Sequence, residues 1–395
     1  MSTESGKRVL ITFGRSFLAL QLARLFQAGG HRVYTADSLH FPISRFSNST
    51  ADSFLVARPS HEPVAWAQDL ARIAREHHID LVVTVHEETD ILAAAVRRHP
   101  GLFPAECELF LLDFEQVDRL DNKFAFQEML RSMGVPTLPY ALVDTEAKLA
   151  ELEIPGPFAL KHCYSRGAQD VLKVSPGETP RVAFDPQNPW LAQGWAEGPR
   201  YCTYSICRDG QVLAHTLYPV NYAIDGRSSL YYEHVEHDGL AGWVRDRVKA
   251  INFSGQIGFD FVDTADGLFA IECNPRATSG LLLFSREDRV DRAFLGAVDP
   301  GEPVITPKPG VRRMLGPGML LYGWRKSALP GNTLRGFLRD ARAADEVITS
   351  RSDPLPALAL PLAMADILGQ SIRYRVGFPE GFMHDHEWDG VPLPE

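Results

Sequence analysis

The chain has 395 residues, of which 45% are hydrophobic and 23% charged, and this composition excludes a disordered or fibrous protein. Since domains contain roughly 100–200 residues, we expect two or three of them. The formal net charge is −10 and no block of Lys and Arg is present, which excludes the basic surface that binding to a nucleic-acid backbone requires.

The sequence also gives no indication of a membrane segment or of an oxidising compartment. The N-terminal apolar run, Val9–Phe13, is too short for a signal peptide. The longest apolar stretch, Leu355–Leu368, is interrupted by Pro356 and Pro361 and contains Asp366, so we predict no membrane span. The five cysteines include no CxxC pair for zinc binding or thiol exchange, and we expect a cytoplasmic protein.

The first hundred residues predict strands that alternate with helices. The predicted elements are strand Lys7–Phe13, helix Phe17–Ala28, strand His31–Ala36, helix Pro63–His77, strand Leu81–Val85 and helix Thr89–Arg98. This alternation predicts a doubly wound parallel sheet. Ligands of such sheets bind beyond the carboxyl ends of the strands, where Gly14-Arg15-Ser16 and His86-Glu87-Glu88 are expected.

The loop after the first strand argues against a dinucleotide cofactor. From Gly14 onwards its sequence is GRSFLA, which lacks the second and third glycines of the GxGxxG motif. A dinucleotide-dependent oxidoreductase is therefore an alternative that this loop disfavours.

A domain junction is predicted after residue 134. The helix Asn122–Met133 ends at Gly134, and Pro136 and Pro139 prevent its continuation. Beyond the junction we expect a mostly antiparallel subdomain. Its predicted strands are Phe158–Lys161, Asp170–Val174, Arg200–Cys207 and Gln211–Leu217, with a turn at Asp209-Gly210.

A hairpin that carries acidic residues follows. After a predicted helix, Leu240–Ile251, its two strands are Gly258–Val262 and Leu268–Cys273. Strand alternation places Glu272 and Asn274 on one face, where Asp260 of the paired strand can join them. Two carboxylates and an amide oxygen suit Mg²⁺, whose other positions phosphates and water usually fill.

Neighbouring residues add positive charge and hydrogen-bond donors. Arg276 lies on the same face as Asn274 and could bind phosphate through its guanidinium group. The backbone amides of Thr278-Ser279-Gly280 could form an anion nest. The alternative is that the acids merely face solvent, but Phe259 and Phe261 predict an apolar opposite face and therefore one organised surface.

Two lysines precede the hairpin. Lys123 opens a helix after Asp121-Asn122, and Lys161 ends the apolar strand that begins at Phe158. Each lysine alone is typical of a solvated surface. Their order relative to the acidic hairpin favours binding of a nucleotide's phosphates.

Four motifs, taken in this order, resemble the ATP-grasp superfamily over roughly residues 121–280. Asp121-Asn122-Lys123 resembles the site of the first phosphate lysine, and Lys161 resembles the second. Leu191–Gly198 resembles the hinge that contacts adenine. Ile271–Arg276, with the sequence IECNPR, is close to the IExNPR motif of the carbamoyl phosphate synthetase and biotin carboxylase branch.

The resemblance implies an α/β protein with the ATP-grasp fold, which comprises an N-terminal doubly wound parallel-sheet domain, an antiparallel lid subdomain and a C-terminal α+β extension. The expected boundaries are 1–115, 116–302 with a mobile lid at about 155–220, and 303–395 packed on the ATP-grasp core.

The implied cofactors are ATP and Mg²⁺, for which Mn²⁺ could substitute. The implied ATP-binding residues are Lys123, Lys161, Ser165, Arg166, Gly167, Gln193, Gly194, Trp195, Ala196 and Tyr201; the metal ligands are Asp260, Glu272 and Asn274; the catalytic residues are Arg276 and Lys161.

The chain departs from the family pattern at two points. The lid loop at residues 163–168 has a single glycine, and Tyr201 and Thr203 stand where the family has a ribose-binding glutamate or histidine. His162 and Arg166 could supply additional donors to the phosphates.

The substrate pocket is assigned on weaker grounds. The candidate residues are Glu87, Glu88, Arg227, Tyr232, His234, Thr278, Ser279 and Gly280, although core or surface packing explains the segment Tyr231–His234 equally well. The C-terminal run His384-Asp385-His386-Glu387 could bind a transition metal, but we expect it to form a solvated turn.

The resemblance implies an ATP-dependent ligase that activates a small carboxylate as an acylphosphate and joins it to an amine, releasing ADP and phosphate. No biotin-attachment motif or glutaminase segment is evident, so a stand-alone ligase is the simplest interpretation. Small molecules are the expected partners, without nucleic acid or membrane, and a homodimer is left open. A nucleotide-binding protein without catalysis and the oxidoreductase are the alternatives.

Overall fold

The computed structural model describes residues 6–165, 171–224, 228–324, 333–388 and 390, and it has the mixed α/β architecture that the sequence predicts. The N-terminal part is a five-stranded parallel sheet with the order β3-β2-β1-β4-β5. Its elements are β1 (Arg8–Ile11), α1 (Phe17–Ala28), β2 (Arg32–Asp37), β3 (Asp52–Leu55), α2 (Pro63–His77), β4 (Leu81–Val83), α3 (Glu88–Arg98) and β5 (Glu108–Leu109). One core lies between the sheet and α1, and a second lies under α2 and α3.

A second sheet contains the first part of the segment predicted as the lid, whereas residues 200–219, predicted as the end of that segment, belong to the third sheet. The second sheet is antiparallel, with the order β6-β9-β7-β8. The elements of this part are α4 (Phe114–Asp121), α5 (Lys123–Ser132), β6 (Tyr140–Val143), α6 (Glu146–Ala150), β7 (Phe158–His162), β8 (Leu172–Val174) and β9 (Trp190–Gly194). Helix α5 begins at Lys123 because the side chain of Asn122 caps it, accepting hydrogen bonds from the backbone amides of Phe124 and Ala125.

The third sheet carries the acidic hairpin and has the order β11-β10-β15-β16. The elements of this part are β10 (Arg200–Arg208), β11 (Gln211–Pro219), β12 (Ala223–Ile224), β13 (Ser228–Ser229), β14 (Tyr231–Glu233), α7 (Asp238–Ala250), β15 (Gly255–Thr264) and β16 (Gly267–Asn274). The predicted turn at Asp209-Gly210 is present, and both residues have positive φ angles. One face of this sheet packs against α5 and α7 through Phe126, Val244 and Phe259. The other face packs in the core shared with α1 through Tyr204 and Ile206, and the same face carries Asp260 beside Cys202.

The C-terminal part contacts both the third sheet and the N-terminal sheet. Its elements are α8 (Asp291–Phe294), β17 (Arg312–Met314), α9 (Gly316–Gly318), α10 (Leu334–Ala343), β18 (Asp345–Glu346), α11 (Leu355–Tyr374) and α12 (Phe378–Met383). Strand β17 pairs with β14 on one side and β18 on the other. Arg24 of α1 forms a buried ion pair with Asp353 and donates to the carbonyls of Val347 and Ile348.

Helix α11 corrects the expectation that its prolines interrupt the apolar stretch. It runs for 20 residues and continues through Pro361, and by length and composition alone it could cross a membrane. One face instead packs on the protein, where Ala363 and Ile367 are buried. On the same helix, Asp366 accepts a hydrogen bond from the backbone amide of Phe41 at 3.0 Å.

The predicted solvated turn at residues 384–387 is also wrong. Asp385 and His386 are fully buried, because the chain there lies over the carboxyl ends of β1 and β2. The guanidinium group of Arg15 lies 2.6 Å from Asp37 and 2.9 Å from Asp385. Burial alone would lower the pKa of Arg15, but the two carboxylates outweigh burial and raise it, so this arginine is permanently charged.

This buried ion network predicts a large loss of stability when it is broken. In Asp385→Ala, Arg15 and His386 lose a carboxylate partner while they stay buried, so we expect the unfolding free energy to fall by about 3 kcal/mol. Urea denaturation followed by fluorescence measures the change. Arg72→Ala removes only exposed ion pairs with Asp69 and Glu76, and a loss of similar size in this control would contradict the account.

Candidate active site

The acidic residues of the hairpin lie directly opposite each other. Asp260 of β15 pairs with Glu272 of β16, and Gly258 pairs with Asn274. Burial and, after it, the charge of Glu272 together raise the pKa of Asp260 to about 6, against the opposing effects of Arg276 and Lys161. The pair is therefore short of positive charge, which is the electrostatic environment that attracts a cation.

The two predicted lysines converge on this hairpin from different elements. Lys123, at the start of α5, has its ammonium group 3.4 Å from Glu272 and donates to the carbonyl of Ser165 at 2.6 Å. Lys161, at the end of β7, donates to the carbonyl of Ile271 at 3.0 Å. Burial lowers the pKa of Lys161 to about 8, although the nearby carboxylates of Glu272 and Asp260 oppose this shift.

Arg276 joins the hairpin to the N-terminal sheet. Its Nη2 donates to the Oδ1 atom of Asn274 at 2.8 Å and to Glu87 at 3.3 Å. Glu87 also accepts a hydrogen bond from the backbone amide of Trp388 at 3.3 Å. The Nε atom of Arg276 is buried and has no hydrogen-bond partner in the described part of the chain, so it is available to an oxygen of a bound molecule.

Asp90 and Asp121 form a buried acid pair behind Arg276, which the sequence analysis missed. Burial raises the pKa of each carboxyl group, and each lies in the field of Arg276. Asp121 belongs to the motif that precedes Lys123, and Asp90 lies in the first turn of α3. The sequence signal that could have indicated this pair is Asp90, an aspartate among the buried residues of α3.

The predicted hinge lies at the end of β9. Gln193 pairs with Ala159, two residues before Lys161, so strand alternation puts the side chains of Gln193 and Lys161 on the same face of the second sheet. Gln193 is buried, and its amide nitrogen has no partner among the described residues. The amides of Gly194 and Trp195 donate to the carbonyls of Pro139 and Pro157, respectively, and Ala196 follows them.

Three polar candidates face away from the acids. His162 stacks on Trp190 with the ring centroids 3.6 Å apart, on the opposite face of β7 from Lys161. Tyr201 packs edge-on against His237, and Thr203 is bonded to the backbone of Phe259. The residue of β10 that pairs with Asp260 is instead Cys202, which the sequence analysis did not select because the register was unknown.

The candidate substrate residues are divided between the site and its surroundings. Glu88 is engaged inside the N-terminal sheet by Thr12 and by the amide of Val85. Tyr232 is buried, and its hydroxyl donates to the carbonyl of Ser229. The backbone amide of His234 donates to the carbonyl of Val311, and the hydroxyl of Thr278 donates to the carbonyl of Thr203. Ser279 and Gly280 begin a 3₁₀ helix. Arg166, Gly167 and Arg227 lie outside the described residues.

The donor set of the hairpin fits a hard cation. Within the described ranges, no group of three or more His, Cys, Asp and Glu side chains is arranged to hold a metal. An ion here would consequently use the two carboxylates, the amide oxygen of Asn274 and oxygens of a bound phosphate. Mg²⁺ is commonly held in this way, with few protein ligands.

Comparison with known proteins agrees with this geometry. A family model described as the ATP-grasp domain matches residues 120–280. Residues 120–280 of this chain therefore form an ATP-grasp domain. The match confirms the resemblance predicted from the four motifs, and it covers both lysines, the hinge and the acidic hairpin.

Individual relatives are distant. The arginine-specific large chain of carbamoyl phosphate synthase from Halalkalibacterium halodurans is 24% identical over 255 residues; the match covers 57% of this chain and 22% of the relative, so the chain spans about a fifth of that protein's length. Biotin carboxylase from Campylobacter jejuni, solved as a β-γ-ATP complex, superposes with a TM-score of 0.57 at 16% identity over 78% of this chain and 74% of the other. L-amino acid ligase from Bacillus licheniformis superposes with a TM-score of 0.50 at 17% identity, over 70% of this chain and 69% of the other. These structural likenesses establish the fold.

The raised pKa of Asp260 predicts that cation binding depends on pH. In the absence of metal, the folded protein holds the proton more tightly than the unfolded chain, so Asp260 is protonated as pH falls through about 6. Protons then compete with Mg²⁺, and we expect its apparent affinity in the presence of ADP to be about tenfold weaker at pH 5 than at pH 7. Thermal-shift titrations with MgCl₂ at both pH values measure the difference.

The matched control for this titration is Asp260→Asn, which cannot take up the proton. The Mg²⁺ affinity of this variant should be weak at both pH values. If Asp260→Asn kept the same affinity and the same pH dependence as the natural chain, Asp260 would be removed from the cation site.

Proposed function

We propose that this protein is an ATP-dependent ligase that converts a small carboxylate into an acylphosphate and joins it to an amine, releasing ADP and phosphate. The observation that carries the proposal is the convergence of Lys123, Lys161 and Arg276 on the acid pair Asp260–Glu272. The ATP-grasp domain supports ATP-dependent ligation in general, and one structural neighbour is named an L-amino acid ligase.

The nucleotide would lie between the second and third sheets. Gln193 would offer its buried amide nitrogen, which has no partner among the described residues, to the adenine beside the hinge backbone. Lys123 and Lys161 would contact the phosphates, together with Ser165, Arg166 and Gly167 of the lid loop. Asp260, Glu272 and Asn274 would hold Mg²⁺, which would neutralise charge on the phosphates and orient the γ-phosphate for attack.

In the first step, an oxygen of the substrate carboxylate attacks the γ-phosphorus of ATP. The bond to the bridging oxygen breaks, and ADP leaves. Phosphoryl transfer depends mainly on positioning and on neutralisation of charge, which Lys161 and Arg276 would provide here. Arg276 is held ready for this task by Asn274 and Glu87, so little reorganisation is needed.

In the second step, the amine nitrogen attacks the acyl carbon and inorganic phosphate leaves, while the nitrogen gives up a proton. The acylphosphate must survive until the amine arrives, and water would hydrolyse it. We propose that the second sheet closes over the nucleotide as a lid, whereas β10 and β11, at the end of the predicted lid segment 155–220, belong to the third sheet and stay with the acidic hairpin. Glu87, which contacts Arg276, and Tyr232, which lies near Cys202, are the candidates to bind the substrates. The expected setting is the cytoplasm, with small molecules as partners.

The competing oxidoreductase proposal lacks a place for its cofactor. In a doubly wound sheet, a dinucleotide binds at the loop after β1, with an acid near the end of the next strand contacting the ribose. Here that acid, Asp37, is already paired with Arg15, which also donates a hydrogen bond to Asp385. A non-catalytic nucleotide-binding protein would release no ADP, so a turnover assay distinguishes it from a ligase.

Loss of Glu272 should abolish turnover without unfolding the protein. ADP release is measured with Mg²⁺, ATP and a library of amino acids as carboxylate and amine donors. We expect Glu272→Ala to form no ADP above background, because Asp260 and Asn274 alone hold the cation poorly. Glu287→Ala, an exposed acid 15 residues further along the chain, is the control and should be fully active. Wild-type turnover in Glu272→Ala would contradict the proposal, and no ADP release by the natural chain across the library would favour the non-catalytic alternative.

Arg276→Ala should act on the chemical step. Since Arg276 would stabilise charge that develops during phosphoryl transfer, we expect kcat to fall roughly 100- to 1,000-fold while the KM for ATP changes only a few-fold. Steady-state kinetics separates the two parameters. A large rise in KM at unchanged kcat would assign Arg276 to nucleotide binding instead.

A further inference from the structure

Helix α11 presents an uninterrupted apolar face to solvent. Six of its large side chains are substantially exposed: Leu355 (55%), Leu358 (74%), Leu362 (42%), Met364 (43%), Leu368 (49%) and Ile372 (70%). The residues between them on the outer surface are Pro361, Ala365 and Gly369, which carry no polar group either. As far as Ile372, the outer surface of α11 therefore lacks the polar residues that a solvent-facing helix normally carries, and Arg373 follows in the last turn.

The inner face fixes α11 on the body of the protein. Ala363, Ile367, Gln370 and Ser371 are buried there. Immediately before the helix, Asp353 pairs with Arg24 and accepts hydrogen bonds from Ser47 and Asn48. Because both the inner face and the N-terminal end are anchored, α11 cannot rotate to hide its outer face. Something outside the described fold has to cover it.

The exposed area is large for a monomer. The six side chains expose on the order of 600 Å² of apolar surface, which is the upper end of what the largest patch on a monomeric protein reaches. A standard protein interface buries about 800 Å² per partner. The outer face of α11 alone would supply about three quarters of that area.

We propose that the outer face of α11 is the interface of a homodimer, in which two copies of α11 pack against each other across a two-fold axis. Leu358, Leu362, Ala365, Gly369 and Ile372 follow one another at intervals of four and three residues, which is the spacing of a seam between two packed helices. The small side chains at 365 and 369 let the helices approach closely. A two-fold axis brings the same patch of both copies together, so a single self-complementary surface is enough.

The composition of α11 favours a second copy over a lipid surface. Helices that lie on membranes combine an apolar face with a polar face rich in Lys and Arg. Arg373, in the last turn, is the only Lys or Arg of α11, and the face opposite the apolar one is buried in the protein. The net charge of −10 also disfavours an anionic bilayer.

Sedimentation velocity on the full chain tests the proposal. The natural protein should sediment as a dimer of about twice 43.9 kDa at micromolar concentration. Leu358→Glu/Ile372→Glu places four like charges in the interface of the dimer and should sediment as a monomer. Its circular dichroism should be unchanged, because both side chains are exposed in one copy. Leu55→Glu, at 52% exposure on β3, is the matched control and should stay dimeric.

A cross-linking experiment keeps the test decisive if the charged variant fails to fold. Ala365→Cys, a mild substitution at an exposed position, should give covalent dimers with a short bismaleimide, whereas Leu55→Cys should not. A natural chain that is monomeric at 100 μM would overturn the proposal. So would a dimer that survives Leu358→Glu/Ile372→Glu, or flotation of the natural chain with phosphatidylcholine or phosphatidylserine vesicles that these substitutions abolish.

Discussion

The repulsion between Asp260 and Glu272 is the constraint on which the rest of the site depends. Two carboxylates that face each other across a hairpin and are largely removed from water are unfavourable unless positive charge lies nearby. The fold supplies this charge from three directions: from the start of α5, from the end of β7, and from the residues that follow β16. A metal-bound nucleotide would complete the neutralisation. The acid pair of the hairpin is therefore stable only with positive charge around it, and Lys123, Lys161 and Arg276 are placed where they provide that charge.

The N-terminal sheet contributes to the same site without binding a cofactor of its own. At the loop after β1, where a dinucleotide would bind, Arg15 instead forms buried ion pairs with Asp37 and Asp385. The loop after β4 carries Glu87, which forms an ion pair with Arg276. The C-terminal segment takes part in both arrangements, since Asp385 closes the first loop and Trp388 hydrogen-bonds to Glu87. Segments that are distant in sequence thereby stabilise one edge of the candidate active site.

The sequence predicted the parts of the fold that have strong local signals. Helices α1 and α2 have the predicted boundaries, because a capping serine or an N-terminal proline and a clear apolar period define them. The acidic face of the hairpin followed from strand alternation alone. Strand β5 has two residues and was missed, as was β3, whose polar residues give no strand pattern.

What the sequence could not predict depends on contacts between distant segments. Asp385 and His386 have the composition of a solvated turn, and only the opposing Arg15, 370 residues away, makes their burial favourable. The same holds for Cys202, whose place beside Asp260 depends on the register between β10 and β15. Pro361 does not end α11, because a long helix that packs along the protein tolerates one missing hydrogen bond.

The most direct test of the site is a crystal structure with Mg²⁺ and a non-hydrolysable ATP analogue. The account predicts nucleotide between the second and third sheets, with at least one Mg²⁺ about 2.1 Å from oxygens of Asp260, Glu272 or Asn274 and from the phosphates. Lys161 and Arg276 should contact the γ-phosphate. Nucleotide bound at the loop after β1, or bound between the sheets without any metal contact to the hairpin, would contradict it.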